Sequence, residues 1–413
     1  MTFPPLTTIR QRLSSAKIED VAQAVQSELI DSKVHIQAGQ RIAIAVGSRG
    51  IADLLVIVRE IVAWVKGHEA TPFIVPAMGS HGGATADGQR AVLEGLGITE
   101  RAVGAEIRSS LEVVELDRGI LEVPVYIDRL AHQADGIIVV NRVKPHTSFH
   151  GPHESGLMKM MAIGLGKHAQ ALAIHRFGVD GLRDLMPRVA RQVIRQANIL
   201  LGVGVVENAY DQTLQVRALL PHEIPTIEPT LLELARANMP ALPTDDLDIL
   251  IIDEMGKNIS GLGADPNVIG RLKIRGQVEP DRPRIKLIVV RDLSEASHGN
   301  AAGVGLADII TRALFDKIDF DATYENVLTS TFTERAKVPI IAETDREALT
   351  FAIRALGVVG PAGVRVARIH NTLKLDTLQV SPPVLEELAS NPAITTIGPV
   401  DRLFDETGEM LDW

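Results

Sequence analysis

No cysteine occurs among the 413 residues, so neither a disulfide nor a thiolate metal site can form. A soft metal held here would need imidazole or a ligand's own sulfur atoms. No run of eighteen apolar residues is present, and Met1-Thr2-Phe3-Pro4-Pro5 lacks a basic stretch leading into an apolar one. Both absences argue against a membrane partner and predict a cytoplasmic protein. Lys/Arg blocks and aromatic-basic interleaving are also missing, and the formal charge of −10 comes from acidic residues scattered along the chain. Nucleic acid is therefore not an expected partner.

What the chain does have is histidine in one place. Five of its twelve histidines fall between His146 and His175, in a run that opens Lys144-Pro145-His146-Thr147-Ser148-Phe149-His150-Gly151-Pro152-His153-Glu154-Ser155-Gly156-Leu157-Met158-Lys159. Histidine is the side chain suited both to proton transfer near neutral pH and to metal ligation. The spacing of three between His150 and His153 suits a solvated helix start.

The length exceeds that at which one core usually keeps growing, so two domains are expected. Arg41 to Val46 reads as a buried strand ending at Gly47-Ser48-Arg49-Gly50, and apolar residues then recur at helical spacing from Ile51 to Val65. A second unit follows, with a strand over 72–76, the turn Met78-Gly79-Ser80-His81-Gly82-Gly83 and a helix through Leu93. A third strand, 136–140, delivers the chain to Asn141 and the histidine-rich segment. Repeated strand-helix units predict parallel sheets, whose ligands collect beyond the carboxyl ends of the strands. Arg49, His81 and His146 each lie just past such an end. A proline-rich connector near 238–246 separates a domain over 1–243 from one over 244–413. The latter has strands predicted at 247–252 and 285–290 and a helix over 301–315. The fold class is α/β, two α/β domains with largely parallel sheets and an active-site cleft between them.

Lys159 and His175 are sixteen residues apart, which on one straight helix points them to nearly opposite faces. Gly164-Leu165-Gly166 between them permits a turn that folds one helical piece beside the other. Met158, Met160 and Met161 give Lys159 a partly apolar setting, where burial lowers the pKa of an amine and makes it a better nucleophile.

These motifs resemble the lactate racemase (LarA) family over the first 220 residues, including Gly204-Val205-Val206-Glu207-Asn208-Ala209. Members use a nickel-pincer nucleotide, a pyridinium mononucleotide whose two sulfur-bearing arms grip nickel. In that family a lysine in a Ser-Gly-rich run is tethered to the cofactor, and a histidine sixteen residues on is the protein ligand to nickel. Ser155-Gly156-Leu157-Met158-Lys159 and His175 have that relation, and Arg49 and His81 match the family's arginine and first catalytic histidine. The resemblance implies racemisation or epimerisation of a 2-hydroxy acid by reversible hydride transfer. His81 and His146 would be the two bases, Arg49 and Lys257 the carboxylate ligands, and Lys159, Ser155, Gly156 and His175 the cofactor-binding residues. The sequence also departs from the family. Val46 stands where lactate racemases carry aspartate, and Phe149 where they carry the second histidine, so lactate itself is not the expected substrate and His150 competes with His146. Around Met255-Gly256-Lys257-Asn258-Ile259-Ser260-Gly261 the chain is similar to a branch distant from true lactate racemases.

Two other readings stand beside this one. His146, His150 and His153 with Glu154 could ligate zinc for hydrolysis, since three such ligands and an open position are what a catalytic zinc needs. Alternatively, the protein binds a nucleotide without catalysis.

Overall fold

The computed structural model describes residues 3–357 and 363–413. The chain divides into two compact units, Ser14–Met239 and a second made of Pro240–Trp413 together with the N-terminal segment up to Leu13. The strands, in chain order, are β1 (Thr7–Gln11), β2 (Arg41–Val46), β3 (Thr71–Pro76), β4 (Glu106–Ile107), β5 (Val113–Leu116), β6 (Val125–Asp128), β7 (Gly136–Arg142) and β8 (Ile199–Glu207), then β9 (Thr213–Leu219), β10 (Asp246–Met255), β11 (Arg284–Leu293), β12 (Ile309–Thr311), β13 (Ile340–Ala342), β14 (Val366–Ile369), β15 (Thr377–Val380) and β16 (Ile394–Pro399). The fold is α/β, with open, mainly parallel sheets.

The first unit carries the order β4-β3-β2-β7-β8-β9, parallel except for the antiparallel β8–β9 pair, and β5 and β6 form a separate ribbon. Five of the six residues in each of β2 and β3 are buried. Such continuously apolar strands are what a sheet covered on both faces requires. The helix Leu54–Gly67 buries Leu54, Ile57, Val58, Ile61, Val62 and Val65, a stripe at helical period that packs into the core under β2. Strand order reverses at β2: the chain moves to β3 and β4 on one side and later returns to β7 and β8 on the other. The crevice at such a switch point is where open α/β sheets bind ligands.

The second unit has the order β13-β12-β11-β10-β14-β15-β1-β16. Strands β13 through β14 run parallel, while β15, β1 and β16 are antiparallel to their neighbours. Two expectations are corrected here. The N-terminal residues, expected within the 1–243 domain, carry β1, which pairs with β15 and β16, so its backbone hydrogen bonds are made in the other unit. The helix expected over 301–315 is instead a short 3₁₀ turn, strand β12 and the helix Arg312–Asp316. Gly303 sits at φ +103 and a Cβ on Gly305 would lie 2.3 Å from the Glu334 carbonyl oxygen, so a helix is stopped before the β-branched Ile309-Ile310-Thr311 joins the sheet. No helix among the described residues is long and apolar enough to cross a membrane.

Candidate functional site

Arg49 follows β2, His81 follows β3 and His146 follows β7, three neighbouring strands whose carboxyl ends share one edge of the first unit's sheet. Lys159 and His175 come from the polypeptide after β7. Leu157–Lys159 starts a helical turn that widens into a π-turn over Met160–Gly164, and the helix Lys167–His175 begins after a break. The residue that reverses the chain is Lys167, left-handed at φ 55, whereas Gly166 is right-handed at φ −74. The glycines serve packing: a Cβ on Gly164 would sit 2.5 Å from Met160 Sδ and 2.8 Å from the Ala77 carbonyl, and one on Gly166 2.3 Å from Gln170 Cβ. The break lies where the sequence placed it, but close approach rather than backbone freedom is the reason for glycine there.

The electrostatics show that these side chains gather. His81 titrates at about 4, below the usual 6.5, because the surrounding protein withdraws its hydration and because Arg49, Lys159 and His175 lie close enough to repel its proton. Burial also lowers His175 to about 4, with Lys159 adding repulsion. Lys159 falls to about 8 through burial and the charge of Arg49, opposed by Glu154. Arg49 is lowered by partial burial and by Arg142. Among the described residues no hydrogen bond or ion pair engages the side chains of Arg49, Lys159 or His175. Near neutral pH Arg49 and Lys159 carry the positive charge here while His81 and His175 are neutral, and none of the four has a paired carboxylate.

The segment before Lys159 is held by two buried glutamates. Glu154 accepts the His146 amide at 2.6 Å and the Gly151 amide at 2.9 Å and pairs with Arg236. Glu228 accepts His153 Nδ1 and the Met158 amide, each at 2.9 Å. Gly156 is glycine because a Cβ there would lie 2.5 Å from Glu228 Oε2; its carbonyl accepts Asn141 Nδ2 at 2.9 Å. Ser155 makes a backbone bridge with Lys144. Both residues shape the approach to Lys159.

The histidines of this segment separate in role. His153, expected on a solvated helix start, is 2 % exposed and bound to Glu228, in a stretch that forms no helix. His150 is exposed, with Nδ1 3.4 Å from Glu154. His146 packs on Phe149 with ring centroids 4.5 Å apart, and its Nδ1 accepts the Ser148 amide at 3.1 Å. A nitrogen accepting a backbone N–H carries no proton, so neutral His146 holds its proton on Nε2. Among the described residues no three His, Asp or Glu side chains are grouped to hold a metal, and Glu154 and His153 are committed elsewhere. Lys257 lies in the second unit, where its ammonium donates to the Gly261 carbonyl at 2.6 Å and to Asn326 Oδ1 at 3.2 Å.

Sequence reasoning missed Ser48, whose hydroxyl is hydrogen-bonded to His81 Nδ1. Its place in Gly47-Ser48-Arg49-Gly50, one residue before Arg49 at a strand end, was the available signal.

Fold and site together define a class: an open α/β protein with basic side chains gathered at a topological switch point. The chain is similar to the lactate racemase apoprotein from Thermoanaerobacterium thermosaccharolyticum, with a TM-score of 0.52 and 14% sequence identity over 89% of this chain and 94% of that one. The two share a fold. Residues 53–218 match the family described as a domain of unknown function (DUF362), a span that includes His81, His146, Lys159 and His175. No curated protein matches the sequence.

Proposed function

We propose that the protein is a racemase or epimerase of a 2-hydroxy acid that works by reversible hydride transfer with a nickel-pincer nucleotide. The observation that carries this reading is the convergence of Arg49, His81, Lys159 and His175 with no carboxylate paired to them. These residues fit the group. Lys159 offers an amine with a lowered pKa for covalent tethering, and His175 an imidazole free of hydrogen bonds for nickel. The surplus positive charge suits a phosphate-bearing ligand. When bound, the nucleotide supplies a hydride acceptor.

The protein's own residues do the rest. Arg49 offers a planar fork to the substrate carboxylate and fixes which face of the reacting carbon is presented. His81, neutral at physiological pH, takes the hydroxyl proton, and Ser48 on its Nδ1 holds the ring in place. His146 would be the second base, serving the other face of the reacting carbon; with Nδ1 accepting the Ser148 amide its proton sits on Nε2, and it must give that proton away before acting as a base there. Position 46, the last of β2, is valine and buried, so the chain offers no acidic side chain there.

The test is intact-mass analysis of protein loaded with the cofactor, followed by turnover of a panel of deuterated 2-hydroxy acids wider than lactate. An adduct lost in Lys159→Ala, nickel lost in His175→Ala, and deuterium retained on the product's reacting carbon are the expected results. Complete washout of label to solvent would replace hydride transfer by proton abstraction. Loading without turnover of any hydroxy acid would leave a nucleotide carrier.

A further inference from the structure

Behind the loop that carries His81 lies a buried polar knot that the mechanism above does not use. Lys167 and Asp128 form an ion pair at 2.9 Å with both side chains wholly inaccessible to solvent. Lys167 Nζ also donates to the carbonyl of Pro76, the last residue of β3, and to Gln89 Oε1 at 3.3 Å. Gln89, equally inaccessible and borne by the helix Ala86–Gly95, turns its Nε2 to the carbonyls of Gly79 at 3.0 Å and His81 at 3.3 Å. Asp128, at the end of β6, completes the circuit: Oδ1 accepts the Ala131 amide at 2.9 Å, and its own amide donates to the Leu165 carbonyl at 2.7 Å.

This knot fastens together two stretches that come from different parts of the chain. One is 76–81, which carries His81. The other is 165–167, the break between the pieces bearing Lys159 and His175. A direct strut, the Gly79 amide on the Gly164 carbonyl at 3.3 Å, spans the same gap. A buried ion pair stabilises weakly against an apolar replacement, because desolvating two charges offsets their attraction. Its better use is geometric: an ammonium with three donors in fixed directions ties a carboxylate, a main-chain carbonyl and an amide side chain to one point.

We propose that Gln89, oriented by the buried Lys167–Asp128 pair, is a positioning residue that fixes His81 relative to Lys159 and His175. The proposal rests on the reading of His81 as a catalytic base, but its central prediction can be checked without any substrate. Gln89 reaches the loop only through its amide N–H groups. Gln89→Glu therefore keeps an oxygen acceptor for Lys167 while losing both donors to the loop, and Gln89→Leu loses the donors and the acceptor.

The experiment is residue-resolved amide hydrogen exchange on the full chain, with steady-state kinetics of the cofactor-loaded enzyme beside it. Three amides report the loop: His81 on the Met78 carbonyl, Ala84 on the His81 carbonyl and Thr85 on the Gly82 carbonyl. In Gln89→Glu and Gln89→Leu these should exchange at least ~10-fold faster while amides of β2 and β7 keep their wild-type rates. Where turnover is measurable, kcat should fall by roughly 10- to 100-fold with KM little changed, because a displaced base is lost to the transition state rather than to binding. Lys167→Met leaves Asp128 buried alone and is expected to fold poorly. The paired change Asp128→Asn with Lys167→Met keeps an acceptor for the Ala131 amide and should loosen the same three amides. Wild-type exchange at His81, Ala84 and Thr85 in both Gln89 variants would overturn the proposal, and so would acceleration spread evenly through the unit. If no hydroxy acid is turned over, the reading of function fails while the exchange result still decides this one.

Discussion

Lys159 holds its proton weakly, at about 8 against an ordinary 10.5, first through burial and then through Arg49. Its free amine should therefore react with an amine-directed acylating probe half-maximally near pH 8, with surface lysines following some two units higher; mass mapping of modified peptides against pH reads this out. A profile for Lys159 that coincides with the bulk lysines would count against its setting. His81 and His175 carry the opposite consequence at acid pH. Their folded pKa values, about 4, lie below the unfolded 6.5, so between these limits the unfolded chain binds more protons. Their contribution to stability is complete above pH 6.5 and is lost as pH falls toward 4. Melting temperature should drop through that window, and it should drop less in a His81→Ala, His175→Ala double variant. Ser48→Ala removes the partner of His81 Nδ1. We expect kcat to fall about 10-fold with KM nearly unchanged, as for loss of one orienting hydrogen bond; an unchanged kcat would leave Ser48 without a role. At this scale Arg49, His81 and Lys159 could be singled out because each sits beside a recognisable strand end or glycine run. Lys167 and Glu228 act through partners 39 to 91 residues away, Gln89 is oriented by Lys167 78 residues on, and a linear pattern does not hold that information.

The break between Lys159 and His175 shows what a short element can and cannot disclose before folding. Gly164-Leu165-Gly166 announced an interruption, and the chain does break there. What could not be read is that Lys167, a non-glycine, takes the left-handed backbone, since that depends on Asp128 and the Pro76 carbonyl waiting for its ammonium. Gly166→Ala should cost about 1–3 kcal/mol, because the added methyl would lie within 2.4 Å of the Ala162 carbonyl oxygen in a buried turn. Denaturant unfolding measures this, and a neutral result would mean the turn yields easily. Strands β2, β3, β7, β10 and β11 were legible from continuous apolar runs. Strand β12 was not, because its three residues lie in a window whose apolar residues also suit a helix, and only the close approach of Gly305 to the Glu334 carbonyl decides between them.

At the scale of the whole molecule, the connector near residue 240 was visible as a composition change, and the parallel architecture followed from alternating elements. The place of β1 was not visible, because a five-residue strand of Thr-Thr-Ile-Arg-Gln carries no sign of which sheet will receive it. It lies between β15 and β16, with Ile9 fully buried. Removing β1 should leave β16 without its partner and expose the edge of β15. We expect loss of protection at amides 377–380 and 394–399 with no change in β2 or β7, read by hydrogen exchange; retained protection would show that β15 and β16 close the gap themselves.

The same placement sets an order of events during synthesis. Residues 7–11 leave the ribosome long before the strands that receive them, at 377–380 and 394–399, are made. The first unit's stretch can fold while the strand ahead of it is still unpaired, since a translating ribosome adds only about 5–20 residues per second. For that interval an apolar-centred strand with open hydrogen-bonding edges is exposed to other chains. The threonines, arginine and glutamine that flank Ile9 on β1 can then be seen as what keeps a waiting strand soluble until its neighbours arrive.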